Sequence, residues 1–153
     1  MQQTGQLPRD EEIELMNSSL WTTMGAQQRH NPAQLSKADV PTGAGVYAWY
    51  RDGKPIYVGK ATSLQQRVWG NHLGAGRSLK SSAFRRNVAD ELNIATANDI
   101  KTGAYELTDD DVAAVRTFIE GCAVAWIQCT TPDEAEDLEG SMKQDWMPPL
   151  TRK

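Results

Sequence analysis

The sequence predicts an α+β fold in which a small antiparallel or mixed three-stranded sheet is flanked by helices. Three observations carry that expectation. Two short runs rich in β-branched and aromatic residues, 45–50 and 55–58, are joined by Arg51-Asp52-Gly53-Lys54, and an Asp-Gly pair between such runs is a strong hairpin signal. A third, nearly continuous apolar run at 122–129 lies beyond a stretch of helical periodicity. The order α-β-β-α-α-α-β-α also lacks the repeated βα unit of a doubly wound sheet. Gly43-Ala44-Gly45 and Gly74-Ala75-Gly76 therefore read as turn glycines and not as phosphate-binding loops.

Taken in order, residues 10–28 read as one helix, entered after Pro8 with acids in its first turn and carrying Ile13, Leu20, Trp21 and Met24 near helical spacing. Pro32 stops it, and 35–41 is a connector. After the hairpin, Thr62 or Ser63 caps a short helix to about Trp69, ended by Gly70. Residues 74–78 form a Gly-rich turn. Ser81 or Ser82 then opens a helix with Phe84, Val88, Leu92 and Ala95 as its core stripe, leaving Arg85 and Arg86 facing solvent or phosphate. Thr108 and Asp109 to Asp111 start the next helix, with Val112, Val115 and Ile119 buried. Thr131-Pro132-Asp133-Glu134 is a capping box with Pro at the first helical position, and the helix it opens runs to about Trp146, before Pro148-Pro149.

The 153 residues suit one domain, divided here into an N-terminal helical arm at 1–42 and a main domain at 43–153 with a helical insert at about 74–120. The arm either packs on the sheet or mediates a dimer. With 39% hydrophobic and 24% charged residues the chain is of globular and not disordered composition. No apolar run reaches the roughly 18 residues of a membrane span, and the polar, acidic N-terminus is not a secretory signal, so the expectation is a cytoplasmic protein. Cys122 and Cys129 stand seven apart, an odd separation that points them to opposite faces of a strand and disfavours a disulfide or shared metal. His30 reads as structural.

Charge is segregated along the chain. Residues 51–86 carry eight basic side chains against Asp52 alone, a net of +7, while 1–50 sum to −2 and 87–153 to −9, giving −4 in total. One acid in 36 residues points to a surface facing a polyanion, although the whole protein is acidic.

The sharpest feature is Gly45-Val46-Tyr47 on one strand and Tyr57-Val58-Gly59 on the next, followed by Lys60 and Arg67. Strand alternation and one helical turn bring two phenols, an ammonium and a guanidinium together. Such a group suits an anion whose charge grows during reaction, as a phosphodiester's does. Each residue also has a structural reading: the tyrosines as cross-strand aromatics, Lys60 and Arg67 as solvated charges, and Glu139 as the partner of Lys143 at i+4.

This hairpin, with Lys60-Ala61, Leu64 and Arg67, resembles the GIY-YIG nuclease superfamily, and most of all the N-terminal nuclease domain of the bacterial excision-repair incision subunit. Leu138-Glu139, Lys143 and Trp146-Met147-Pro148-Pro149-Leu150 are similar to the family's last helix and its proline turn. The resemblance implies a metal-dependent endonuclease acting on DNA. In it Tyr47 orients or deprotonates the attacking water, Tyr57 bonds the phosphate or that water, Arg67 holds the scissile phosphate, and Glu139 alone anchors Mg²⁺ or Mn²⁺. Lys60 and Arg67 would favour the phenolate of Tyr47. Nothing in the sequence reads a 2′-hydroxyl, so RNA stays open as a substrate. Three positions depart from the family. One helical turn after Arg67 stands Asn71, with His72, a proton-shuttle candidate, one further on. Thr151 replaces an Asn after the prolines. The segment between Arg67 and Glu139 is long and holds Arg77, Lys80, Arg85 and Arg86, expected to grip nucleic acid. Two other readings are a catalytically inert nucleic-acid-binding module and a protein-interaction domain presenting the acidic clusters.

Overall fold

The computed structural model describes residues 10–72 and 82–151. Its centre is an antiparallel sheet of β1 (Gly45–Arg51), β2 (Lys54–Ala61) and β3 (Ala123–Gln128), in the order β2-β1-β3. The α+β architecture is the one expected, with every pairing antiparallel. Asp52 and Gly53 both have positive φ, 53° and 79°. That pair of left-handed residues makes a tight turn whose twist matches the flanking strands. The β1–β2 ladder slips by one residue between Trp49–Tyr57 and Tyr50–Pro55.

Helices cover both faces, so β1 is buried along nearly its whole length. On one face Tyr47, Trp49, Tyr57 and Val124 pack against Val68 of a π-helix (Gln65–His72), Phe84 and Val88 of α3 (Ala83–Glu91), and Val115 and Ile119 of α5 (Asp109–Glu120). Phe84 stacks on Trp49 at 4.8 Å between centroids. On the other face Val46, Ala48, Val58 and Ala125 meet α2 (Ser19–Gly25) and α6 (Pro132–Asp145). Cys122 belongs to the first layer and Cys129 to the second, and neither is in a disulfide, as their odd spacing predicts.

The first expected helix is two. α1 (Asp10–Asn17) ends before Ser18, whose extended backbone (ψ 119°) and hydroxyl, accepting from Trp21 N at 3.1 Å, start α2. A serine that can bond a free helical N–H competes with continuation of the helix. Of the two, α2 supplies the fully buried residues, Trp21 and Met24, while Leu15 of α1 packs half-buried against the same cluster. Trp21 Nε1 donates to the carbonyls of Met142 (2.9 Å) and Trp146 (3.2 Å), and Ser18 donates to Asp145 (2.8 Å). The arm thus packs on the sheet layer through α6, while Met16 of α1 is 70% exposed.

A second difference is α4 (Ala97–Thr102), capped by Thr96 and closed by Gly103 at φ 84°. Its single buried residue, Ile100, gives no periodicity to read. Thr131 caps α6 as expected, but the reciprocal carboxylate reaches one residue further back, Glu134 Oε1 accepting from Thr130 N at 2.8 Å.

Both sheet edges are covered. Outside β2, Leu150 N donates to Ile56 O (2.8 Å) and Val58 N to the Thr151 hydroxyl (3.0 Å), so Thr151 supplies a hydrogen bond at the position where the family pattern has Asn. Asn87 Nδ2 holds this turn through Leu150 O at 2.8 Å. Outside β3, His30 exchanges two backbone bonds with Val124 and stacks on Trp126.

Trp21→Ala removes a buried indole and two hydrogen bonds, and its expected cost is about 3–5 kcal/mol in urea denaturation. A loss below about 1 kcal/mol would show that the arm is not part of the folded core.

Candidate active site

The site begins with a cross-strand pair. Tyr47 lies opposite Gly59, and a Cβ built at Gly59 would collide with the Tyr47 ring and hydroxyl. Glycine at 59 is therefore a matter of space and not of backbone angle: it lets the Tyr47 ring lie flat over β2. Tyr57, two residues earlier on the same face, stands 6.3 Å from Tyr47 between ring centroids, and the two hydroxyls share a hydrogen bond.

Arg67 of the π-helix and Glu139 of α6 complete the wall of a cavity of about 360 Å³ that Tyr47, Tyr57 and Lys60 also line. The structure thus gathers Tyr47, Tyr57, Lys60, Arg67 and Glu139, drawn from four elements, around one space. Glu136 and Asp133 line it as well, and the sequence reading does not include them. Their signal was the spacing: 133, 136 and 139 step by three along one side of α6. Lys60 Nζ bonds Glu136 Oε1 at 2.6 Å. That bond raises the lysine's pKa and lowers the glutamate's.

Other expected residues fall differently. His72 is the last residue of the π-helix, in which each amide reaches five residues back, so position 72, and not 71, is one hydrogen-bonded turn beyond Arg67. The side chain of His72, and Arg77 and Lys80 altogether, lie outside the described residues. Arg85 is not on an open surface: it is 6% exposed, and burial, with Arg116 of α5 adding like charge, lowers its pKa. The packing of α5 on α3 covers the side of the helix that a linear reading leaves to solvent. Arg86 lines a cavity adjoining the site. Glu139 pairs with Lys143 at 3.4 Å, yet its side chain is only 12% exposed, so it stands in a pocket wall and not on an open helix face.

Arg67 supplies the expected pull toward phenolate, but in the protein alone burial outweighs it. Burial raises the pKa of Tyr47 well above 10, the neighbouring Tyr57 adds to it, and the opposing pull of Arg67 is smaller. Tyr57 is raised too, by burial and then by Glu139.

The cavity's donors are carboxylates and not a closed ligand cage. Among the described residues no three His, Cys, Asp or Glu side chains cluster as a full ligand cage. The cavity instead sets Lys60 and Arg67 against Asp133, Glu136 and Glu139, a net of −1. Carboxylates beside room for water suit a hard cation that retains much of its hydration shell, such as Mg²⁺.

The model of the GIY-YIG catalytic domain matches residues 44–153. Among solved structures, the GIY-YIG N-terminal endonuclease domain of UvrC from Thermotoga maritima, bound to its catalytic divalent cation, magnesium, is 19% identical, with 73% of this chain and 86% of that one covered and a TM-score of 0.37. A point mutant of the same domain, bound to its catalytic divalent cation, is 20% identical over the same shares, with a TM-score of 0.39.

The tyrosine shifts have a sign that can be measured. A phenol whose pKa is higher folded than unfolded contributes stability that is whole below about pH 10 and is lost as pH rises toward the folded value. Tyr47→Phe should therefore change stability by a constant amount from neutral to about pH 9, and wild type should lose stability faster than the variant above about pH 10. Denaturation curves of the two across that range give the comparison. Parallel profiles would mean that Tyr47 titrates as a free phenol.

Proposed function

We propose a function from one premise: this chain belongs to the GIY-YIG catalytic domain family. It is a divalent-metal-dependent endonuclease that hydrolyses phosphodiester bonds of DNA in the cavity between the hairpin, the π-helix and α6. The observation that carries this reading is the convergence of Tyr47, Tyr57, Arg67 and Glu139, from four separate elements, on that cavity. Packing alone would not direct two cations and three carboxylates into one space.

The chemistry follows from the side chains. Arg67 presents a planar fork that fits two phosphate oxygens, and its fixed charge stabilises the pentacovalent state without reorganisation. Tyr47, which lines the cavity beside Tyr57, orients the attacking water through its hydroxyl. Lys60, held by Glu136, keeps a positive charge at the cavity mouth. His72 is the candidate to bring a proton to the leaving oxygen. A divalent cation held by Glu139, Mg²⁺ or Mn²⁺, would supply Lewis-acid stabilisation of the phosphoryl oxygens. It would also turn the cavity's net −1 positive, the sign a phosphodiester needs.

Glu139→Gln keeps the shape of the side chain and removes its charge. The expected result is loss of nearly all cleavage of plasmid DNA in Mg²⁺, with a circular-dichroism spectrum and DNA affinity close to wild type. Cleavage at the wild-type rate would remove Glu139 from the metal site. Arg67→Ala should lower turnover by about 10²–10³-fold. Arg67→Lys should recover only part of it, since an ammonium lacks the bidentate fork. Wild type that binds DNA but never cuts it with either metal would favour the inert binding module.

A further inference from the structure

A second cavity, of about 370 Å³, lies beside the first, between α3, α4 and α6. Tyr57 and Glu139 line both, so the two spaces share a wall. Their charges are opposite. The first has a net of −1, whereas the second sets Arg86, Lys101 and Lys143 against Glu139 alone, a net of +2. The uncharged polar part of its lining includes Asn98. The charge of Arg86 is felt at Tyr57, which places the guanidinium in electrostatic reach of the first site.

An acid-rich cavity accepts a phosphate only once a cation is present. A cation-rich one accepts it directly. Hence we propose that the cavity between α3, α4 and α6 is a second phosphate subsite, in which Arg86, Lys101 and Lys143 hold the backbone phosphate neighbouring the scissile one. This rests on the nuclease reading above and deepens it. It adds Lys101 and Lys143 to the nucleic-acid surface and gives the strand a direction, across Tyr57 and Glu139 toward α4. Lys143 has a double position, bonded to Glu139 on one side and lining the subsite on the other. A strand filling both cavities would therefore pass beside the carboxylate that anchors the metal.

The subsite requires no metal, so its test is binding with chelator present. Anisotropy of a fluorescent DNA duplex is measured against salt for wild type, Lys101→Ala, Lys101→Glu and the double variant Arg86→Ala/Lys101→Ala. Lys54→Ala, in the hairpin turn and away from both cavities, is the control. Each lost phosphate contact should flatten the slope of log affinity against log salt by about 0.9, so the single alanine variant should lose about 0.9 and the double about 1.8. Lys101→Glu should weaken binding more than Lys101→Ala, and Lys54→Ala should leave the slope unchanged. Circular dichroism of each variant separates lost contact from lost fold.

A slope indifferent to Lys101 in a wild type that binds and cuts DNA would overturn the subsite and leave the nuclease. A Lys101-dependent slope in a protein that cuts with neither Mg²⁺ nor Mn²⁺ would support the subsite and overturn the nuclease. Wild type with no salt-dependent DNA affinity would overturn both.

Discussion

The seat of Tyr47 over Gly59 is the constraint on which the rest of the site depends. Only a residue without a side chain leaves room for the ring, and only one register brings the two residues opposite each other. A slip of one residue would turn every side chain of β2 to the other face and put Val58 or Lys60 under the tyrosine. The register is set at a distance, by the left-handed pair Asp52-Gly53 together with the one-residue slip between Trp49 and Tyr50, without which the turn would put Val58 opposite Tyr47. It is held on the outer side by Leu150 and Thr151, which bond the edge of β2 at Ile56 and Val58 on either side of Tyr57. Turn chemistry, edge closure and catalytic geometry are thus one connected requirement.

The same economy holds on α6. Ala135 and Met142 face the sheet, while Asp133, Glu136 and Glu139 face the cavity. The far end of that helix is clamped by Trp21, whose indole bonds the carbonyls of Met142 and Trp146. Met142 is less than one turn from Glu139. The N-terminal arm therefore bears on the position of Glu139 through α6, and truncating the arm at α2 would loosen the candidate site as well as the core.

Much of this was legible in the sequence because it is local. The Asp-Gly turn, the caps at Ser82, Thr108 and Thr131 and the β-branched, aromatic and apolar strand runs are all short-range signals, and each is found where expected. What was not legible depends on tertiary packing or on short length. Arg85 is buried because α5 lies against α3, which no helical wheel of 83–91 reveals. α4 has one buried residue and hence no period. The break at Ser18 rests on one hydroxyl bond. The π winding of 65–72 changes which residue follows Arg67 by one turn, and spacing rules built on 3.6 residues per turn point to Asn71. Glu136 was visible only as one of several acids until Lys60, 76 positions earlier, was found beside it.

Charge shows the limit of reading along the chain most clearly. By sequence the positive segment is 51–86 and the region after it is acidic. In space, Arg51 of the positive segment donates to Phe118 O and lies 4.0 Å over the Phe118 ring, Lys60 is paired, and Arg85 is buried. Meanwhile Lys101 and Lys143 of the acidic segment meet Arg86 in one cavity. Fields act over a Debye length of about 8 Å at physiological salt, so a polyanion responds to the cations that share a cavity and not to those that share a stretch of sequence. A net charge of −4 then poses no obstacle to a nucleic-acid substrate. Among the described residues, cations from both stretches of sequence meet at the cavity whose wall Tyr57 and Glu139 share with the first.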